Sequence, residues 1–206
     1  MTQLPSSDAS PSQARGRERM ENVLEEAERM LIDGGYAALT MRKLAERCGI
    51  ALGNLQYYFP SKSALVAALV DRICERHREA IGTWPGEDTP PEASFETLLR
   101  YILDDIRKPE GSVLYWELWA LAAHDERTKN AMAELYGLET DLLAKAIARI
   151  NPALRGSKVR QRAQTVFALL EGSGLMIGAG RPNAQKPEPL MDEIIASALA
   201  MAKRTG

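Results

Sequence analysis

Asn54, Gln56, Tyr57 and Tyr58 crowd into five residues, and their side chains share one kind of chemistry. A carboxamide presents a donor and an acceptor in one plane, which matches the adenine edge in the major groove of DNA. A tyrosine hydroxyl suits a phosphate oxygen, a contact that sets register without reading sequence. Beside them, Leu52 can touch a thymine methyl, and Gly53 lets a backbone approach a groove wall closely. Arg42 can reach a phosphate or a guanine. Lys62 puts an ammonium in the first turn of a helix, where the helix N-terminus also favours phosphate. Thr40, at the start of the preceding helix, completes this contact set. None of these residues forms a nucleophile–base pair. The only histidines, His77 and His124, lie in no motif with a nucleophile or metal ligands. No catalytic residue, metal or cofactor is therefore assigned, and an enzyme is not expected.

Such side chains work only if short helices hold them out from a core. Thr40 is a good N-cap, although Lys43 stands where a capping box would need Glu or Gln. Met41, Leu44, Ala45 and Cys48 form the inward face of that helix. Gly49 makes a turn, Ile50 plugs the angle, and a further helix over about Leu52–Phe59 turns Leu55 and Phe59 inward. Pro60 stops it. The pattern is a helix-turn-helix, whose second helix offers its N-terminal residues to base edges. An earlier helix over about 15–33 carries Met20, Val23, Leu24, Ala27, Met30 and Leu31 at helical spacing and ends at Gly34-Gly35. Ser61 caps a fourth helix that ends near Thr83, with Leu65, Val66, Leu69, Val70 and Ile73 as its stripe. Residues 1–14 are Ser, Pro and Gln rich and are expected to be a disordered arm. The arm leads into Arg15, Arg17 and Arg19, which can follow a phosphate backbone or enter a minor groove.

Residues 84–94 read as a loop, and helical patterns follow over about 95–107, 110–123, 126–150, 157–179 and 188–203. No period-two alternation appears, so an all-α chain is expected. The formal net charge is −2 over 206 residues, which excludes a uniformly basic coat. Between Thr40 and Lys62, four positive side chains meet one negative, a local balance of +3. A small basic face on an acidic protein suits a partner touched locally. Cys48 and Cys74 fit no zinc or redox spacing and read as two small buried hydrophobes in a reducing cytosol. With no long apolar run and no apolar core of a signal peptide, a cytoplasmic location is expected.

At Thr40, Met41, Leu44, Ala45, Gly49, Ile50, Gly53, Leu55, Tyr58, Phe59 and Lys62, dense and in order, the chain resembles the TetR family of bacterial transcriptional regulators. One departure is Gln56, where the family commonly has Tyr, so a family operator cannot be carried over. The resemblance covers about residues 15–65 directly. It implies a three-helix DNA-binding domain over 15–62 and a larger helical ligand-binding and dimerisation domain over 63–206. It also implies a homodimer that binds a palindromic double-stranded operator and is released by a small hydrophobic effector. The last two long helices would bundle with their symmetry mates, using Ala196, Leu199 and Ala200.

The apolar stretch Val113–Ala122 places Trp116 and Trp119 three apart, able to wall a pocket. Tyr101, Tyr136, Phe167, Leu170 and Gly174 are candidate companions, with Glu117 and His124 as further polar anchors. A cation stacked on either Trp follows if Glu117 faces the pocket. Gly172, Gly174, Gly178 and Gly180 call for a packing reason, because each costs about 1 kcal/mol inside a helix. Close approach of a helix and room for a ligand both qualify. A phosphate-binding loop does not, since no strand precedes it and no Lys-Ser/Thr follows. A helical scaffold that binds no DNA would explain the all-α pattern but not the polar, glycine-opened helix at 52–59.

Overall fold

The computed structural model describes residues 11–82 and 89–205, with side chains described from Gly16 to Glu79 and from Thr89 to Thr205. The described residues contain helices and no strand, so the chain is all-α. The helices are α1 (Pro11–Ala38), α2 (Met41–Arg47), α3 (Leu52–Tyr58), α4 (Lys62–Gly82) and α5 (Pro91–Ile106). They continue with α6 (Pro109–Ala122), α7 (Glu126–Ile150), α8 (Ser157–Ile177) and α9 (Glu188–Lys203). None is long and apolar enough to cross a membrane among the described residues. The chain divides into two compact units, Met1–Leu69 and Val70–Gly206.

In the first unit the apolar stripe of α1 is buried at Val23, Leu24, Ala27, Met30 and Leu31. α1 begins at Pro11, earlier than its periodicity predicts, so the last residues of the expected arm are helical and residues 1–10 lie outside the described residues. Its regular helix breaks at Gly35, whose φ of 68° only glycine adopts cheaply. Leu39, Leu44, Ala45, Leu55, Phe59, Leu65 and Val66 complete this core. The Glu26 carboxylate is an ion-pair partner of both Arg29 on its own helix and Arg47 of α2, which ties α1 to α2.

The second unit packs α5 to α9 and the end of α4 around Phe95, Leu98, Leu99, Leu103, Leu143, Ile147, Val166, Phe167, Leu170, Ile194 and Ile195. Asp125 caps α7 by accepting from the Thr128 amide at 2.8 Å. The buried Asn151 ends that helix and donates to the carbonyls of Lys203 and Arg204, which closes the end of α9. Two of the glycines near 171–180 have an intramolecular reason. A Cβ on Gly178 would meet the Ser112 Cβ at 3.0 Å, and one on Gly174 would meet Ile106 at 3.4 Å. α8 therefore lies close against the start of α6, and Gly172 is left open.

Candidate nucleic-acid interface and effector cavity

The turn between α2 and α3 is built from backbone hydrogen bonds. The Ile50 amide donates to the Ala45 carbonyl and the Gly49 amide to the Glu46 carbonyl, both at 3.0 Å. This pair is the Schellman arrangement, and it requires the left-handed residue that Gly49 supplies at φ 64°. Ile50 follows this turn and is half-buried. α2 starts where Thr40 accepts from the Lys43 amide at 3.2 Å. α3 starts from Ala51 without a side-chain cap and buries Leu55 alone.

That leaves most of α3 outward. Gly53, Asn54, Gln56 and Tyr57 are exposed, and Tyr57 reaches 81% exposure. Leu52 is half-buried. Tyr57 and Tyr58 meet edge to face at 5.2 Å, and Tyr58 is half-buried beside α1, near enough that a Cβ on Gly16 would sit 3.9 Å from its hydroxyl. Gly53 has nothing within 4 Å of where a Cβ would lie, so no contact inside the protein accounts for it. Arg42 is exposed in the first turn of α2. Thr40 is also exposed, but its hydroxyl oxygen already serves as the helix cap. Lys62 differs from expectation. Its Nζ donates to the Tyr36 carbonyl at 2.5 Å and lies 3.3 Å from the centre of the Tyr36 ring, and burial lowers its pKa. Nothing in the sequence around Lys62 points to Tyr36, which is distant along the chain.

In the second unit a cavity of about 30 Å³ is lined by Leu98, Tyr101, Ile102, Asp105 and Ile106 of α5. His77, Gly111, Tyr115, Glu139, Leu142 and Glu171 close it. Of the predicted effector contacts, Tyr101 lines it. Trp116, Trp119, Tyr136, Phe167, Leu170 and Gly174 do not. Trp116 faces the Arg181 guanidinium at 4.3 Å. Trp119 meets Tyr136 edge to face at 5.0 Å, and Tyr136 meets Phe167 at 4.8 Å. Leu170 and Gly174 are in the core. Glu117 is half-buried away from the cavity lining, and His124 is exposed. The wall turns one residue from the expected face: Tyr115, between Leu114 and Trp116, supplies it. α6 is apolar around most of its girth, so its periodicity cannot choose a face.

His77, dismissed for want of a motif, is central here. Its Nδ1 lies 3.1 Å from the Glu139 carboxylate and its Nε2 2.9 Å from the Tyr115 hydroxyl. Burial raises the Tyr115 pKa well above the usual phenol range, so the hydroxyl keeps its proton. The ring thus bridges Tyr115 of α6 and Glu139 of α7, one nitrogen to each. The Tyr136 hydroxyl donates to Glu171. The Glu171 carboxyl is pushed up to about 7, mainly by burial and further by Glu139, against a lowering from the Tyr136 bond. The sequence did carry a sign of these groups. His77 follows Ile73 by four residues and Val70 by seven, and Glu139 lies four from both Leu135 and Leu143. Each is a polar residue on an otherwise apolar stripe. Of the cysteines, Cys74 is buried and its thiol is pushed up to about 11 by burial first, while Cys48 is half-buried rather than buried.

Residues 23–69 match the family model of bacterial regulatory proteins of the tetR family. An uncharacterized HTH-type transcriptional regulator from Xanthobacter autotrophicus is 29% identical over 135 residues, 63% of this chain and 66% of the relative. The HTH-type transcriptional repressor KstR of Mycolicibacterium smegmatis is 42% identical over 60 residues, 29% of each chain. The chain thus spans just under two thirds of the first relative's length and less than a third of the second's. The fold is that of a TetR transcription regulator from Haloarcula marismortui, at 21% identity and a TM-score of 0.68, over 90% of this chain and 95% of that one. The family match falls on the helices that hold Asn54, Gln56 and Tyr57 outward, and with the likenesses to regulators rather than to enzymes it supports a TetR-type bacterial transcriptional regulator.

Proposed function

We propose that the protein is a dimeric, ligand-responsive repressor that reads a palindromic operator with α3. The observation that carries this reading is the outward face of α3. Gly53, Asn54, Gln56 and Tyr57 are exposed, no contact inside the protein explains the glycine, and the Tyr57 phenol stands mostly in solvent. Leu52, Gly53, Asn54 and Gln56 go toward base edges, and Arg42, Tyr57 and Tyr58 toward phosphates. Thr40 contributes from the start of α2, its hydroxyl hydrogen still available to a phosphate. Lys62 spends one of its donors on Tyr36, and an ammonium has three, so a phosphate can be added without breaking that bond.

Dimerisation supplies the second reading head. α8 exposes Ala168, Gly172, Leu175 and Met176, and α9 exposes Ala196 and Ala200 with Leu199 half-buried. Small and apolar side chains on two adjacent helices suit a self-complementary, two-fold interface. Two α3 helices about 34–36 Å apart would then enter successive major grooves. A small hydrophobic effector entering the cavity of the second unit would favour a spacing that does not fit the operator. A differential affinity of a few kcal/mol between the two states suffices.

The test is a mobility shift with DNA from upstream of the protein's own coding region. Wild type is expected to form a discrete, salt-sensitive complex. The Tyr57→Ala/Lys62→Ala double variant is expected to weaken it by at least tenfold at every sequence bound, since phosphate contacts do not discriminate. Unchanged binding by that variant would remove these residues from the interface.

A further inference from the structure

The cavity of the second unit carries more charge than a purely hydrophobic effector requires. Three carboxylates reach it from three helices: Asp105 from α5, Glu139 from α7 and Glu171 from α8. No lysine or arginine is among its lining residues. Asp105 has a cationic neighbour, the Lys108 ammonium at 3.4 Å. Glu139, 8% exposed, has the His77 ring at 3.1 Å. Glu171 has the neutral Tyr136 hydroxyl. Glu139 and Glu171 therefore stand in a largely apolar wall with no lysine or arginine in the lining, and a buried carboxylate with so little counter-charge is costly. Glu171 relieves part of that cost by holding a proton up to about pH 7, and the charge on Glu139 is one of the causes.

We infer that the effector is a small organic monocation, an amine or quaternary ammonium on an apolar or aromatic body, held by Glu139 and Glu171 and faced by the rings of Tyr101 and Tyr115. The inference rests on the ligand-responsive reading above. A cation adds counter-charge to this wall, whereas an anion meets three carboxylates and no base but His77. Aromatic faces add attraction for the cationic head. Tyr101 lines the cavity and is still 46% exposed, so it is the wall residue that solvent and an entering ligand reach first. At about 30 Å³ the cavity holds little more than a water, so entry requires its side chains to swing outward. Binding also releases the Glu171 proton. The groups facing that carboxyl are Tyr136 and Glu139 from α7, with His77, Tyr115, Tyr101 and Asp105 around the same cavity. Of these, Glu139 and Tyr136 are the ones that set its protonation, and a cation opposes the effect of Glu139.

Calorimetric titration of the full chain with 2-phenylethylammonium, 2-phenylethanol and phenylacetate tests this, since the three share a body and differ in charge. The cation is expected to bind at least tenfold more tightly than the alcohol, and the carboxylate is expected not to bind. Cation affinity should rise about tenfold between pH 6 and pH 8, following ionisation of Glu171, while that of the alcohol stays flat. Glu171→Gln should weaken the cation at least tenfold and abolish its pH dependence, leaving ligand-free DNA binding unchanged. Equal affinity for cation and alcohol, no heat with the cation, or a pH-independent wild type would overturn the inference. The wild-type pH profile decides even if the variant folds poorly. Loss of the regulator reading would show separately, as ligand-free protein that shifts no DNA.

Discussion

Gly53 and Glu171 show how one residue can be set against the stability of its own protein. Gly53 stands in the first turn of α3 with open space where a Cβ would go. Gly53→Ala should therefore stabilise the fold, by up to about 1 kcal/mol, because alanine loses less backbone freedom in a helix. If the glycine is there to admit a groove wall, the same variant should bind operator DNA more weakly. Denaturant melts and mobility shifts on one preparation check both signs, and unchanged DNA binding would leave Gly53 without a role. Glu171 is a carboxyl raised from 4.5 to about 7. A raised carboxyl binds its proton more tightly folded than unfolded, so its effect on stability is neutral below about pH 4.5. It becomes unfavourable as pH climbs to about 7 and stays so above. Glu171→Gln should match wild type near pH 4 and exceed it at pH 8 by up to about 3 kcal/mol, read as midpoint shifts in urea. An equal gap at both pH values would contradict the sign.

At the scale of elements, the α2–α3 pair depends on a turn only a few residues long. The left-handed Gly49 and its two backbone hydrogen bonds set the angle at which α3 leaves α2. Gly49→Ala should cost about 1–2 kcal/mol, because a Cβ is strained at positive φ. Open space surrounds that position, so the loss should come from backbone strain rather than from a clash. Thermal unfolding should move down accordingly, and an unchanged midpoint would show that the turn relaxes at no cost. The sequence made this element legible because each part of it is local. Thr40 accepts from Lys43, Ser61 from Ala64, and Ile50 closes on Ala45. Most helix spans of the second unit were legible for the same reason, but α5 starts at Pro91, inside the stretch read as a loop, because proline at the first helical position fits a helix start. Proline and glycine punctuation bounds them, and α7 and α9 run over the residues their periodicity predicts.

At the scale of the whole molecule, the proposed dimer makes operator binding depend on a surface remote in sequence from α3. Leu175 is 56% exposed on α8, beside Met176 and the open Gly172. Leu175→Glu would place a charge where two copies of that face should meet. Sedimentation is expected to show a dimer for wild type and a monomer for the variant. DNA affinity should fall by at least tenfold, because the second half-site no longer arrives tethered to the first. A variant that stays dimeric would move the interface off this face.

By itself the sequence determined the all-α class, most helix spans, the helix-turn-helix and the family resemblance, because capping, turns and amphipathic stripes are short-range properties. It did not show Lys62 held by Tyr36, nor which side of α6 faces the cavity. Nor did it bring His77, Tyr115, Glu139 and Glu171 together from α4, α6, α7 and α8. A polar residue on an apolar stripe signals that something unusual is buried there, but its partner lies on another helix. Only the packing of the helices decides which stripes meet and which charges they enclose.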